Sequence, residues 1–201
     1  MLQSKYFSEI DLKNFGFKSI GKNVKISSDA RIYGPENISI GNNVRIDDFA
    51  ILSATNGSIS LGNYVFIARN CHLSGFFGIQ MNDFSSMAAN TVIYSASDDY
   101  SGDYLTAQAI PQKYTAHIGG EVVIGKHVII GSACSIIGPS IIGEGCSLGA
   151  MTLVTKDLKP WGIYVGAPAR RYKERKKGLL ELEKNFLDDL ANSSVDPNFK
   201  S

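Results

Sequence analysis

Aliphatic side chains recur at every sixth position over the second half of the chain, and this period constrains the fold more than any other feature. The step is kept without a break by Ile118, Ile124, Ile130, Ile136, Ile142, Leu148 and Val154. Neither an α-helix nor a hairpin sheet has a period of six, whereas a short strand followed by a tight corner does. The pattern therefore predicts a coil built from six-residue units.

The position four residues after each aliphatic is small or β-branched, as in Val122, Val128, Cys134, Ser140, Cys146 and Thr152. Three six-residue units close one triangular coil, and stacked coils pair their backbones at roughly 4.8 Å. The aliphatic side chain then points inward, and the small side chain fills the remaining space. The predicted fold class is all-β, a parallel β-helix of hexapeptide repeats. Because Cys71 also takes the small position, all three cysteines are predicted to be buried spacers.

The same period begins near residue 20 and predicts a β-helix domain over residues 20–172. Residues 1–19 are predicted to cap its open end. The coil is expected to stop at Lys159-Pro160, because proline cannot donate to a sheet. From about Lys173 the leucines follow helical spacing, so residues 173–201 are predicted to form a C-terminal α-helix and tail.

One segment, residues 95–117, keeps no six-residue register. A long segment without pattern inside a compact repeat domain is usually functional or disordered. This one contains three aspartates, tyrosines and a histidine. We interpret it as a functional excursion loop.

Charge and hydropathy narrow the class of protein further. Twenty lysines and arginines face nineteen acids, giving a formal net charge of +1, without the basic excess typical of nucleic-acid binders. No stretch approaches the roughly 20 apolar residues of a membrane-spanning helix. The first ten residues carry charge and no apolar run, so no secretory signal is expected. These features predict a soluble, cytoplasmic protein that binds neither nucleic acid nor membrane.

The hexads, the excursion loop and the closing run LVTKDLKPWGIYVGAPARRYKER together resemble the hexapeptide-repeat acyltransferases. Within these, the similarity is greatest to the galactoside and maltose O-acetyltransferases and to sugar acetyltransferases of bacterial surface-polysaccharide loci, such as those of lipopolysaccharide biosynthesis. The segment Gly166-Ala167-Pro168-Ala169-Arg170 is the most specific part of the match. The resemblance covers roughly residues 20–175. It implies a left-handed β-helix and a homotrimer with acetyl-coenzyme A, the co-substrate, in a groove between neighbouring prisms.

The resemblance also implies which residues line that groove, by register: Ser132, Ala150, Thr155, Lys156 and Arg170, with Arg171 beside them. Small side chains such as Ser132 and Ala150 let an extended pantetheine chain approach the backbone. Lys156, Arg170 and Arg171 supply positive charge for the phosphates of coenzyme A.

The chain departs from the galactoside enzymes at their catalytic histidine. That histidine lies five residues after the aliphatic of the last hexad before the loop, and here the position is Asp98. The candidates for the catalytic base are therefore Asp98, Asp99, His117 at the far root of the loop, and His127 on the wall of the prism. Asp98 and Asp99 can instead cap a turn, and the two histidines can be plain surface residues. We expect His117 to reach back toward Asp98 or Asp99, so that the carboxylate orients the imidazole.

The predicted function is acetyl-coenzyme A-dependent O-acetylation of a sugar or sugar nucleotide. N-acetylation of a nucleotide-linked amino sugar is the alternative, because an unprotonated amine needs no strong enzyme base. A carbonic anhydrase of the γ type would need His72, His117 and His127 to converge on zinc, and no metal site is expected. A non-catalytic β-helix scaffold remains a further alternative, against which the long loop and the basic closing motif argue.

Overall fold

The computed structural model describes residues 5–107 and 109–192. In this part of the chain the backbone winds into a parallel β-solenoid of about seven turns. Two α-helices accompany it, α1 (Glu9–Asn14) and α2 (Leu179–Asn192), together with two short 3-10 helices at Pro35–Asn37 and Gln112–Tyr114. The ends of the predicted cap and tail, residues 1–4 and 193–201, lie outside the described residues.

Each face of the prism is a sheet to which successive turns contribute one strand. The first sheet contains β1 (Ser19–Ile20), β4 (Ile38–Ile40), β7 (Ile59–Leu61), β10 (Ile79–Met81), β15 (Val122–Ile124) and β18 (Ser140–Ile142). The second contains β2 (Lys25–Ile26), β5 (Arg45–Ile46), β8 (Phe66–Ile67), β11 (Ser86–Met87), β16 (Ile129–Ile130), β19 (Ser147–Leu148), β21 (Gly162–Val165) and β22 (Arg170–Glu174). The third contains β3 (Arg31–Tyr33), β6 (Ile51–Ser53), β9 (His72–Ser74), β12 (Val92–Tyr94), β17 (Ser135–Ile137) and β20 (Leu153–Val154).

The core is a set of aliphatic columns along the prism axis. One column stacks Leu61, Met81 and Ile124, which are paired residue by residue between neighbouring strands. From Ile124 to Val154 the predicted inward aliphatics are at most 3% exposed, and the predicted small residues between them are buried. All three cysteines are buried and reduced, and their thiols donate to backbone carbonyls. The hexapeptide β-helix and its spacer cysteines are therefore confirmed.

The excursion loop leaves the prism without interrupting it. The chain departs after β12 and returns at β15, which pairs in parallel with β10 of the preceding turn. The roots of the loop form a separate antiparallel pair of strands, β13 (Ala96–Asp98) and β14 (His117–Gly119). The prediction that Ile118 points into the core is wrong, because it belongs to this pair and is 52% exposed. The inward register resumes at Val122.

The two ends of the prism also differ from expectation. Pro160 does not end the coil, since β21 adds a further parallel strand to the second sheet. The chain then reverses into β22, which pairs antiparallel with β21 and delays the helix from about Lys173 to Leu179. At the other end Phe7 donates its backbone N–H to the carbonyl of Ile26 at 2.9 Å, so residues 5–7 run antiparallel along β2.

One edge of the prism carries a column of residues in the left-handed backbone region, with φ between 54° and 60°: Asn23, Asn43, Tyr64, Phe84, His127 and Trp161. Three of their rings stack in series, Tyr64 on Phe84 at 4.8 Å between ring centroids and Phe84 on His127 at 5.4 Å. Helix α2 packs on this column through Phe186, whose ring meets Tyr64 edge-on at 5.4 Å. The aromatic column thus provides the surface on which the C-terminal helix lies.

Candidate active site

The roots of the excursion loop bring Asp98 and His117 together. Asp98 is the last residue of β13, His117 is the first of β14, and the two face each other in the antiparallel register. Asp98 Oδ1 lies 3.8 Å from His117 Nδ1, with both side chains about one-third exposed. This distance exceeds a hydrogen bond, but catalytic contacts often tighten only when substrate is bound. The structure thus places a carboxylate near an imidazole across the loop base, and the role of the two groups as a catalytic pair stays a prediction.

The two side chains open into a cleft of about 230 Å³ formed by the loop and by corners of earlier turns. Its lining comprises Asn56, Phe76, Asp98, Thr106, Ala107, Ile110, Gln112, Thr115 and His117. Amide and hydroxyl groups next to a few apolar side chains suit a small polar molecule with an apolar edge. The carboxylate and the imidazole both line this cleft, so a proton acceptor is available there.

Asp99 plays a different part from its neighbour. Its carboxylate accepts hydrogen bonds from Ser101 and from the backbone N–H groups of Gly102, Asp103 and Tyr104. The Ser101 hydroxyl and these amides hold the pKa of the Asp99 carboxyl below its ordinary value, so it is a weak base. Asp99 caps the loop and does not line the cleft. Of the two adjacent carboxylates, Asp98 is the one that lines the cleft.

His127 lies away from this cleft. Expected to point outward, it is 7% exposed because α2 covers it, and its Nε2 is 2.8 Å from Glu183 Oε2. Lys126 Nζ is 2.6 Å from the other oxygen of Glu183. Burial opposes ionisation of this carboxyl, but the hydrogen bonds from Lys126 and His127 outweigh it and lower the pKa of Glu183. His127 therefore belongs to the attachment of α2.

The residues that the resemblance assigns to coenzyme A lie on the last turns of the prism. Ser132 and Ala150 follow Gly131 and Gly149 at one corner of successive turns, and both are exposed. The turns are so close there that a Cβ added to Gly131 would lie 2.7 Å from the backbone nitrogen of Ala150. Small side chains therefore border this corner, and the exposed side chain of Met151 lies next to them.

Positive charge gathers at the same end of the prism. Thr155, Lys156 and Arg170 are exposed on the final turn and on β22. Arg171 is engaged within the chain, with Nη2 at 2.5 Å from Glu174 Oε1 and the guanidinium over the ring of Tyr164. Lys156 and Arg170 are thus better placed than Arg171 to meet an external phosphate. None of the six predicted coenzyme A residues lines the cleft of Asp98 and His117.

The three histidines have three separate environments. His72 lies on the outer face of the third sheet, where its Nδ1 is 3.3 Å from the hydroxyl of Tyr94 and burial lowers the pKa of its ring. His117 faces Asp98, and His127 faces Glu183. Within residues 5–107 and 109–192 no three His, Cys, Asp or Glu side chains are grouped as ligands for a metal ion.

Several contributors to the site were not identified from the sequence. Asn56, which precedes a glycine in a turn sequence, lines the cleft because the loop folds back over its corner. Ser95 was not singled out, and it is fully buried at the start of the loop. Outside the cleft, Glu183 was not identified as the partner of His127, and its only signal is that it precedes Phe186 by three residues on the helix.

Comparisons with known proteins bear on the same fold and on the family of the chain. The model of the bacterial transferase hexapeptide (six repeats) matches residues 121–156. A dTDP-4-amino-4,6-dideoxy-D-glucose acyltransferase of Escherichia coli is 44% identical over 181 residues, which span 90% of this chain and 94% of the relative.

Solved structures show a similar relationship. AntD, an N-acyltransferase from Bacillus cereus in complex with dTDP and 3-hydroxybutyryl-CoA, is 46% identical with a TM-score of 0.90, covering 95% of this chain and all of that chain. A variant of AntD in complex with dTDP-4-amino-4,6-dideoxyglucose and coenzyme A gives the same identity and TM-score over 94% of this chain. In the described part of the present chain, no helix has both the length and the apolar character needed to span a membrane. By its repeats, its solenoid and its full-length likeness to these enzymes, the chain belongs to the hexapeptide-repeat acyltransferases.

Proposed function

We propose that this enzyme transfers an acyl group from a coenzyme A thioester to the 4-amino group of a dTDP-linked 4-amino-4,6-dideoxy sugar. The observation that carries the proposal is identity of 44% to 46% with N-acyltransferases of such sugars over at least nine-tenths of the chain. This favours the alternative of N-acylation over the O-acetylation that the sequence first predicted. The resemblance to galactoside O-acetyltransferases reflects the shared repeat and the shared thioester substrate.

The cleft of Asp98 and His117 supports the same chemistry. The amine attacks the thioester carbonyl, a C–N bond forms, the C–S bond breaks, and the amine must lose one proton while the departing thiolate gains one. His117 is the group placed to accept the amine proton, and Asp98 beside Nδ1 stabilises the imidazolium that results. That proton is then transferred to the thiolate, and the products are an amide and free coenzyme A.

The separation between the cleft and the basic end supports binding of the thioester between two subunits. Asp98 and His117 lie on the loop, whereas Ser132, Ala150 and Arg170 lie on later turns and line no part of the cleft. A homotrimer, in which neighbouring prisms face each other, allows one extended substrate to reach both regions. We therefore propose a trimer, with Thr155, Lys156 and Arg170 binding the phosphates and Ser132 and Ala150 bordering the pantetheine. Because acyl-CoA and nucleotide sugars are cytoplasmic metabolites, we place the reaction in the cytoplasm.

The proposal is tested by supplying acetyl-CoA or 3-hydroxybutyryl-CoA with dTDP-4-amino-4,6-dideoxyglucose and following free-thiol release. The matched control acceptor is the corresponding dTDP-6-deoxyglucose, which carries a hydroxyl in place of the amine. We expect turnover with the amine and a product that survives mild alkali, as an amide does. If the hydroxyl acceptor is converted to an alkali-labile ester and the amine does not react, the proposal of N-acylation is wrong and the enzyme is an O-acyltransferase.

A further inference from the structure

The ring of Phe76 packs against the imidazole of His117. Their ring centroids are 4.6 Å apart with 48° between the planes. Phe76 lies at a corner of the turn before the loop, is half-buried, and lines the same cleft as Asp98. Contact at this distance restricts rotation of the imidazole, since a turning ring would meet the phenyl group.

Two further sets of contacts fix the backbone around Phe76. Ser95, fully buried at the first root of the loop, accepts the backbone N–H of Phe77 at 2.8 Å and donates its hydroxyl to the carbonyl of Ser74 at 3.0 Å. On the other side Gly57 approaches so closely that an added Cβ would clash with the carbonyl oxygen of Phe76. The Phe76 corner is therefore clamped between the preceding turn and the loop root.

We propose that Phe76 is a positioning residue for the transfer reaction, which holds the imidazole of His117 with Nδ1 toward Asp98 and Nε2 toward the acceptor. The proposal rests on the function proposed above. The consequence is that the orientation of the base is set by the rigid prism, through Phe76 and Ser95, and not by the loop alone.

The chain contains a matched control. Phe84 also packs on a histidine, with its ring 5.4 Å from that of His127 and nearly parallel to it, outside the cleft. The substitutions Phe76→Leu and Phe84→Leu therefore each replace a phenyl ring that packs on a histidine, one inside the cleft and one outside it. Phe76→Tyr keeps the ring and serves as the conservative variant.

The kinetic measurement compares kcat and KM of these three variants with the parent enzyme. We expect Phe76→Leu to lower kcat about tenfold to a hundredfold, because small errors in the position of a catalytic group have effects of that order, with KM changed less than about threefold. Phe84→Leu should keep kcat within about twofold, and Phe76→Tyr should recover most of the loss. Equal kcat values in Phe76→Leu and Phe84→Leu would overturn the proposal.

A second measurement needs no substrate, so it tests the role of Phe76 independently of the proposed acyl-transfer reaction. In NMR spectra the carbon-bound imidazole protons of His117 should show the ring-current shift of Phe76, and its two nitrogens should show one dominant tautomer. Both signatures should be lost in Phe76→Leu and kept in Phe84→Leu. Were the parent enzyme inactive on amino sugars while these signatures held, the proposed function alone would fail. If His117 gives the same signals in the parent and in Phe76→Leu, Phe76 does not position it.

Discussion

Replacing Asp98 or His117 should separate catalysis from folding. Both side chains are about one-third exposed and 3.8 Å apart, and even a fully charged pair of that exposure contributes only about 0–1 kcal/mol to stability. Asp98→Asn and His117→Ala should therefore change the free energy of unfolding by less than about 1 kcal/mol. General-base catalysis contributes about 10²–10⁴ in rate, so kcat should fall by that factor in His117→Ala. Asp98→Asn should lower kcat in the same direction, because the imidazolium loses its counter-charge.

The decisive assay is a double-variant cycle in kcat, measured by free-thiol release and accompanied by urea unfolding of each protein. Residues that act as one unit lose most of their effect at the first substitution, so the double variant should be only slightly slower than the slower single variant. Asp103→Asn is the matched control, because Asp103 is exposed on the same loop and does not line the cleft. It should leave kcat unchanged.

Three outcomes would refute this reasoning. If the kcat of the double variant falls by the product of the two single-variant factors, Asp98 and His117 act independently. Full activity of His117→Ala together with inactivity of Asp98→Asn would show that the carboxylate serves alone. Full activity of both single variants would make the loop base structural and remove both residues from the mechanism.

Other parts of the structure make equally direct predictions. Arg170→Ala should raise KM for the coenzyme A thioester more than it lowers kcat, whereas Arg171→Ala, whose side chain is held by Glu174, should mainly lower the melting temperature. Glu183→Gln should also lower the melting temperature, by a few degrees at neutral pH in thermal unfolding. The pKa of the Glu183 carboxyl is lowered in the folded chain, so its contribution to stability is fully present above the ordinary carboxyl pKa and is lost as the pH falls through the lowered pKa. The difference in melting temperature between Glu183→Gln and the parent enzyme should therefore vanish in acid. Leu73→Ala, at a fully buried position, should lose about 2–5 kcal/mol in urea unfolding.

The fold was predictable because the six-residue period of inward aliphatic side chains repeats many times along the chain. Each inward aliphatic from Ile124 onward makes the same contact in the next turn, so local spacing determines the tertiary stack. Ile118 shows the limit of this reasoning. It keeps the spacing by coincidence, and only the antiparallel pairing of the loop roots decides that it faces solvent.

The site was predictable where chain direction alone brings residues together. Asp98 and His117 begin and end one loop, so their proximity follows from closing it. Asp98 and Asp99 have the same chemistry, and only the backbone amides that surround Asp99 separate their roles. The burial of His127 depends on a helix more than fifty residues later, which no local pattern encodes. The roles of the coenzyme A residues stay a prediction.

The antiparallel segments at the two ends of the second sheet have a consequence for the molecule as an assembly unit. Identical flat coils that pair in parallel are a template for unlimited end-to-end growth, as in cross-β filaments. Here the strand direction is reversed at both ends, by residues 5–7 along β2 and by Arg170–Glu174 along β21. If the terminal coil of a second molecule approaches either end of this sheet, the strand that it contacts runs in the opposite direction and has a different sequence. This reversal therefore opposes the addition of a further parallel coil to the second sheet at either end.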